Sequence, residues 1–210
     1  MRYSLRLVVL TMGLASFCGL SIAQDIPGYP AIMSFDPREV ALLPAYCKNT
    51  TYFRDKVPGG MNSNEIARWT AAIGPEFIHL HHYCFGLMNT NRAVLLARDR
   101  QVRLSYLTAS LLEFDYVIQR ASESFVLLPE ILTKKGENLI RLGKAPVGIL
   151  ELERAADLKP DYWPPYAQLS DYYKSVGDRQ KAKEALDRGL SSSPDAQPLR
   201  RRLSELGTGG

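Results

Sequence analysis

Apolar residues in the second half of the chain fall three and four positions apart, the spacing that lines one face of an α-helix. In WPPYAQLSDYYKSV the face is Tyr166, Leu169 and Tyr173, and in RQKAKEALDRGL it is Ala182, Leu186 and Gly189. Gly177-Asp178 separates the two runs, and Ser191-Ser192-Ser193-Pro194 closes the second, because proline cannot continue a helical hydrogen-bond ladder. The same punctuation stands 34 residues earlier: Gly143 for Gly177, Leu152 for Leu186, Ala155 for Gly189 and Pro160 for Pro194. Gly136 and Gly148 match Ser170 and Ala182, small for small. A fixed period of this length predicts stacked units of two helices each.

These residues carry a resemblance. Tyr166, Leu169, Ser170 and Tyr173, followed by Ala182, Leu186 and Pro194, resemble the tetratricopeptide repeat (TPR), with Tyr in place of the family's usual Trp and Ser in place of its Gly. The preceding unit carries Leu132, Gly136, Leu139, Gly148, Leu152, Ala155 and Pro160. DAQPLRRRLSEL then serves as the capping helix that repeat arrays need on their last face. The resemblance implies an all-α fold, with antiparallel helix pairs stacked as a short right-handed solenoid over 129–210.

Phe114, Ile118 and Ala121 stand in register with Gly148, Leu152 and Ala155, so VRLSYLTASLLEFDYVIQRA reads as the second helix of a degenerate earlier unit. Its partner is PEFIHLHHYCFGLMNTNRAVLLA, opening at Pro75, with an irregular loop near Arg98-Asp99-Arg100. A shorter helix, NEIARWTAAIG, precedes it, with Asn62 and Glu65 spaced as a capping pair, so 61–128 is a helical region holding a degenerate TPR-like unit. No strand is expected. Residues 24–60 carry Pro27, Pro30, Pro37, Pro44 and Pro58 and are expected to be mostly extended.

The first 23 residues change the picture of location. Arg2 and Arg6, the apolar run Leu7 to Ala15, and Ser21-Ile22-Ala23 form a signal peptide with cleavage before Gln24. Phe17 ahead of Cys18 departs from a lipoprotein signal, an uncleaved anchor is the weaker alternative, and no later stretch is apolar enough to span a bilayer. Loss of Arg2 and Arg6 lowers the formal charge from +4 to +2, too small an excess to imply nucleic acid. Cys47 and Cys84 then remain, and two thiols in an exported chain predict a disulfide.

All three histidines lie in FIHLHHYCFGL. On a regular helix His79 and His82 share a face, while His81 turns away toward the line of Cys84. A metal bound by His79 and His82 is the alternative reading, and it needs further ligands such as Glu65 or Glu113. The preferred reading packs the imidazoles among Phe77, Tyr83 and Phe85, with no cofactor. The chain has no H-E-x-x-H, C-x-x-C-H, G-x-S-x-G or phosphate-binding glycine loop, so no enzyme is expected.

The resulting expectation is a periplasmic or secreted adaptor that binds another envelope protein or peptide and assists an export or assembly machine. In the TPR family the first helices of successive units form the ligand-holding concave face. Carried over to this sequence, that face presents Glu130, Thr133, Glu137 and Arg141, then Ala167, Asp171 and Lys174. Its mixed signs differ from the basic clamp that some TPR proteins use for C-terminal carboxylates.

Overall fold

The computed structural model of the protein describes residues 28–208 apart from Ile32 and Phe35. The predicted signal peptide and its cleavage point lie outside the described residues. Within them every regular element is helical: α1 (Pro37–Val40), α2 (Ser63–Ile73), α3 (Leu80–Asn91), α4 (Arg100–Ile118), α5 (Leu128–Arg141), α6 (Ala145–Leu158), α7 (Pro164–Ser175), α8 (Arg179–Ser192) and α9 (Gln197–Thr208). A 3₁₀ turn over Pro75–His79 leads into α3, and a π-helical turn over Arg92–Leu96 leads out of it.

The helices pack as adjacent pairs, α3 on α4, α5 on α6 and α7 on α8, with α9 laid over α7 and α8. Small residues allow each pair to close. A methyl group on Gly86 of α3 would overlap the Phe114 ring of α4, and one on Gly189 of α8 would overlap Tyr166 of α7. In the middle pair Gly136 and Gly148 meet backbone to backbone. The turns within the last two pairs are built alike. Gly143 and Gly177 hold φ of +77° and +83°, a left-handed conformation that costs glycine little. In each case the next residue reaches back five positions to seal the helix end, Lys144 N–H to Leu139 O and Asp178 N–H to Tyr173 O, both at 2.9 Å.

Apolar contact is continuous across the pairs. Leu152, Leu169 and Ala185 join α6, α7 and α8, while Tyr83, Phe85, Phe114, Leu128 and Ile131 belong to the larger cluster around α3, α4 and α5. Two polar nodes accompany it, the first buried and the second partly exposed. Asn138 donates to Thr90 Oγ1 at 2.6 Å and Ser110 Oγ at 2.8 Å, tying α5 to α3 and α4. Lys135 reaches Asp115 on α4 and Glu151 on α6, each at 2.7 Å. Burial alone would lower the Lys135 pKa, but the two carboxylates outweigh it and the pKa is raised.

The N-terminal stretch corrects one expectation. Over its described part, 24–60 is not mostly extended but wound into α1, a 3₁₀ helix (Ala45–Asn49) and successive turns. The prolines that would break a long helix here open short ones: Pro37 is in the first turn of α1 and Pro44 immediately precedes Ala45. Asp36 caps α1 by accepting from Arg38 N–H, and Glu39 accepts in return from Asp36 N–H. Val40, Tyr46, Cys47 and Phe53 bury their side chains against α3 and its neighbours. Cys47 and Cys84 are disulfide-bonded with their Cα atoms 5.7 Å apart, which fastens the segment to α3 covalently.

Candidate functional site

Between α5 and α7 runs a groove of about 200 Å³ lined by Glu137, Ile140 and Arg141 from one helix and Gln168, Asp171, Tyr172 and Ser175 from the other. Glu137 and Asp171 are 34 residues apart, as are Arg141 and Ser175, so equivalent positions of consecutive helix pairs build the two walls. Its charges are held in place rather than free. Glu137 accepts from Arg141 at 2.6 Å, and Asp171 takes a two-pronged contact from Arg202 of α9 at 2.9 and 2.8 Å. Arg202 is correspondingly raised, chiefly by that hydrogen bonding.

The groove unites Glu137, Arg141 and Asp171 of the seven residues predicted for the binding face. Thr133 is buried with its hydroxyl on Pro129 O, and Ala167 is buried against the α8 packing surface. Lys174 is exposed and stands 3.8 Å from Glu205, outside the lining. Glu130 accepts a 2.7 Å hydrogen bond from Tyr83 of α3, so it ties neighbouring pairs together. Burial first, and the Glu130 charge second, push the Tyr83 hydroxyl well up, and the same two causes act on Tyr46 and Tyr162. Ile140, Gln168, Tyr172 and Ser175 were missed: the other three of the seven lining residues, Glu137, Arg141 and Asp171, carry the charge. Their signal was available, since 168, 171, 172 and 175 share a helix face with period 3.6.

The histidines are arranged differently from the regular-helix expectation. His79 belongs to the 3₁₀ turn before α3, so the helical register does not run through all three. His81 and His82 are not separated: their ring centroids are 4.3 Å apart. His82 Nδ1 lies 2.6 Å from Glu113 Oε2, and its ring stacks on Tyr116 with centroids 3.5 Å apart. His79 also meets the Tyr116 ring, edge-on, and His81 Nδ1 lies 3.0 Å from Ile78 O. Burial and then the adjacent His82 lower the His81 pKa. Among the described residues no group of three or more His, Cys, Asp or Glu side chains is placed to hold a metal ion.

No protein-family model matches this chain, and a search of curated proteins finds no significant match. The site is therefore read from its own geometry.

Proposed function

We propose that the helix pairs form a TPR-like right-handed solenoid and that the protein is an exported adaptor, holding an extended segment of another envelope protein in the α5–α7 groove. The groove's construction from equivalent positions of consecutive pairs carries this reading, because a peptide laid across such positions meets a repeating set of contacts. Ile140 and the Tyr172 ring supply apolar contact, while Gln168, Ser175 and the Glu137–Arg141 pair supply donors and acceptors. The Cys47–Cys84 bond fits an oxidising compartment such as the periplasm or the exterior. A bacterial envelope and service to an export or assembly machine complete the proposal.

A photo-crosslinking residue in place of Gln168 tests it in the native envelope. One partner is expected at that position, lost on Tyr172→Ala with the fold retained. Equal labelling from Gln168 and from a crosslinker at Lys183, on the exposed side of α8, would rule out the groove.

A further inference from the structure

The π-helical turn after α3 turns three large apolar side chains outward in succession: Val94, Leu95 and Leu96 are 53%, 65% and 44% exposed. A residue inserted into a helical ladder has an energetic cost, and such turns concentrate where a protein presents something. This one is rigidly mounted. Arg92, at its start, is 1% exposed and grips Glu39 through two contacts of 2.7 Å while donating to the carbonyls of Ala31 and Ser34. That grip brings α1 alongside, so that Leu42, 62% exposed, lines one depression with Leu96 and Pro30.

Charge at this face is positive on balance. Asp36 pairs with Arg38 and Glu39 with Arg92, while Asp99, which caps α4 through Val102 N–H, is the one carboxylate among the three arginines that follow. Arg98, Arg100 and Arg103 follow the apolar turn directly, are exposed, and form no ion pair with any described residue. Arg103 donates to the carbonyl of Ala97, the residue that ends the π-helical turn. The chain also joins the fold here. Tyr29 Oη accepts from Arg98 N–H and Pro30 O from the Tyr106 hydroxyl, so the first described residues of the chain are fastened at this face.

We propose that Val94, Leu95, Leu96 and Leu42, rimmed by Arg98, Arg100 and Arg103, form a docking surface for an anionic lipid bilayer. The leucines sink into the interface while the guanidinium groups pair with lipid phosphates, a combination of apolar burial and charge that anchors peripheral proteins. The α5–α7 groove belongs to other elements, so lipid docking leaves it available to a partner.

The test reads depth at one position, so that an N-terminal anchor does not mask it. The full chain carries a polarity-sensitive fluorophore at Leu95→Cys, with Cys18→Ser to leave a single free thiol; a control carries it at Lys183→Cys. On vesicles containing phosphatidylglycerol, brominated lipid is expected to quench the probe at position 95 several-fold more than at 183. That excess should fall several-fold on pure phosphatidylcholine and in the Arg98→Glu/Arg100→Glu variant, whose thermal melt confirms its fold. Equal quenching at 95 and 183, or quenching at 95 indifferent to lipid charge and to the arginines, overturns the proposal and leaves a protein partner for this face.

Discussion

Gly136 and Gly148 face each other across α5 and α6 so closely that a methyl group on Gly136 would stand 2.8 Å from the Gly148 carbonyl oxygen, and one on Gly148 would stand 2.7 Å from that of Gly136. The obstacle on both sides is backbone, which cannot rotate away. Alanine is the better helix former by about 1 kcal/mol, yet Gly136→Ala or Gly148→Ala is expected to destabilise the protein by about 1–3 kcal/mol through overpacking. Ala182→Leu, at a fully buried site one period on, should cost a similar amount. Urea unfolding monitored by circular dichroism measures all three, and a stabilised Gly148→Ala would contradict the packing described.

This crossing also shows what the sequence made legible. Close helix approach demands small side chains at fixed intervals, and Gly136, Gly148 and Ala182 advertised it along with the pairing of helices around them. The N-terminal stretch offered no such period. Its shape comes from contacts far along the chain, among them Arg92 with Glu39 and Cys47 with Cys84, so local proline content misled. The histidine arrangement was hidden because the change from 3₁₀ to α-helix at Leu80 takes His79 off the helical register, and because side-chain rotation, which spacing does not specify, brings the His81 and His82 rings together within α3. In the groove, charged positions could be picked from sequence, whereas Thr133 and Ala167 were lost to the core by rotation of the helix face toward its neighbours.

The disulfide spans 37 residues. The protein purified without reductant should resist alkylation at Cys47 and Cys84, as read by intact mass. Reduction is expected to lower stability by roughly 3–4 kcal/mol on the chain-entropy account. Two alkylated thiols at 47 and 84 in the unreduced protein would show the bond is not formed in solution.

At the groove, Lys174→Ala should change stability by no more than about 0.5 kcal/mol, as is usual for surface positions, and Glu137→Ala, which removes ion pairs with Lys134 and Arg141, by about 1 kcal/mol. Partner capture is expected to weaken at Glu137, which lines the groove, and not at Lys174, which does not. Comparing the two single variants by crosslinking from Gln168 separates them. Equal losses would place the binding surface nearer α9.

Acid should loosen the histidine cluster. The His81 pKa lies below its ordinary value of 6.5, lowered by burial and by His82, with His79 opposing its protonation and Glu113 and the Ile78 carbonyl favouring it. The unfolded chain therefore takes up this proton first, so stability is whole above about pH 6.5 and declines as the pH falls through that value. His81→Phe, which preserves a ring beside Tyr52, is expected to flatten the unfolding free energy between pH 7 and 5 relative to the parent. An unchanged slope would assign the acid sensitivity to another group.

The Cys47–Cys84 bond has a mechanical consequence. A pull applied at Gly28 passes first through the Tyr106 and Arg92 hydrogen bonds to Pro30, Ala31 and Ser34, then along α1 to Cys47, where it crosses by a covalent link directly into α3. Everything between the two cysteines, α2 included, is shielded from tension. Stretched between Gly28 and α9, the oxidised protein should therefore yield a contour length shorter than the reduced one by about 130 Å, at about 3.5 Å for each sequestered residue. A chain held by its N terminus would bear load on its first turn and its buried arginine while α2 stays folded.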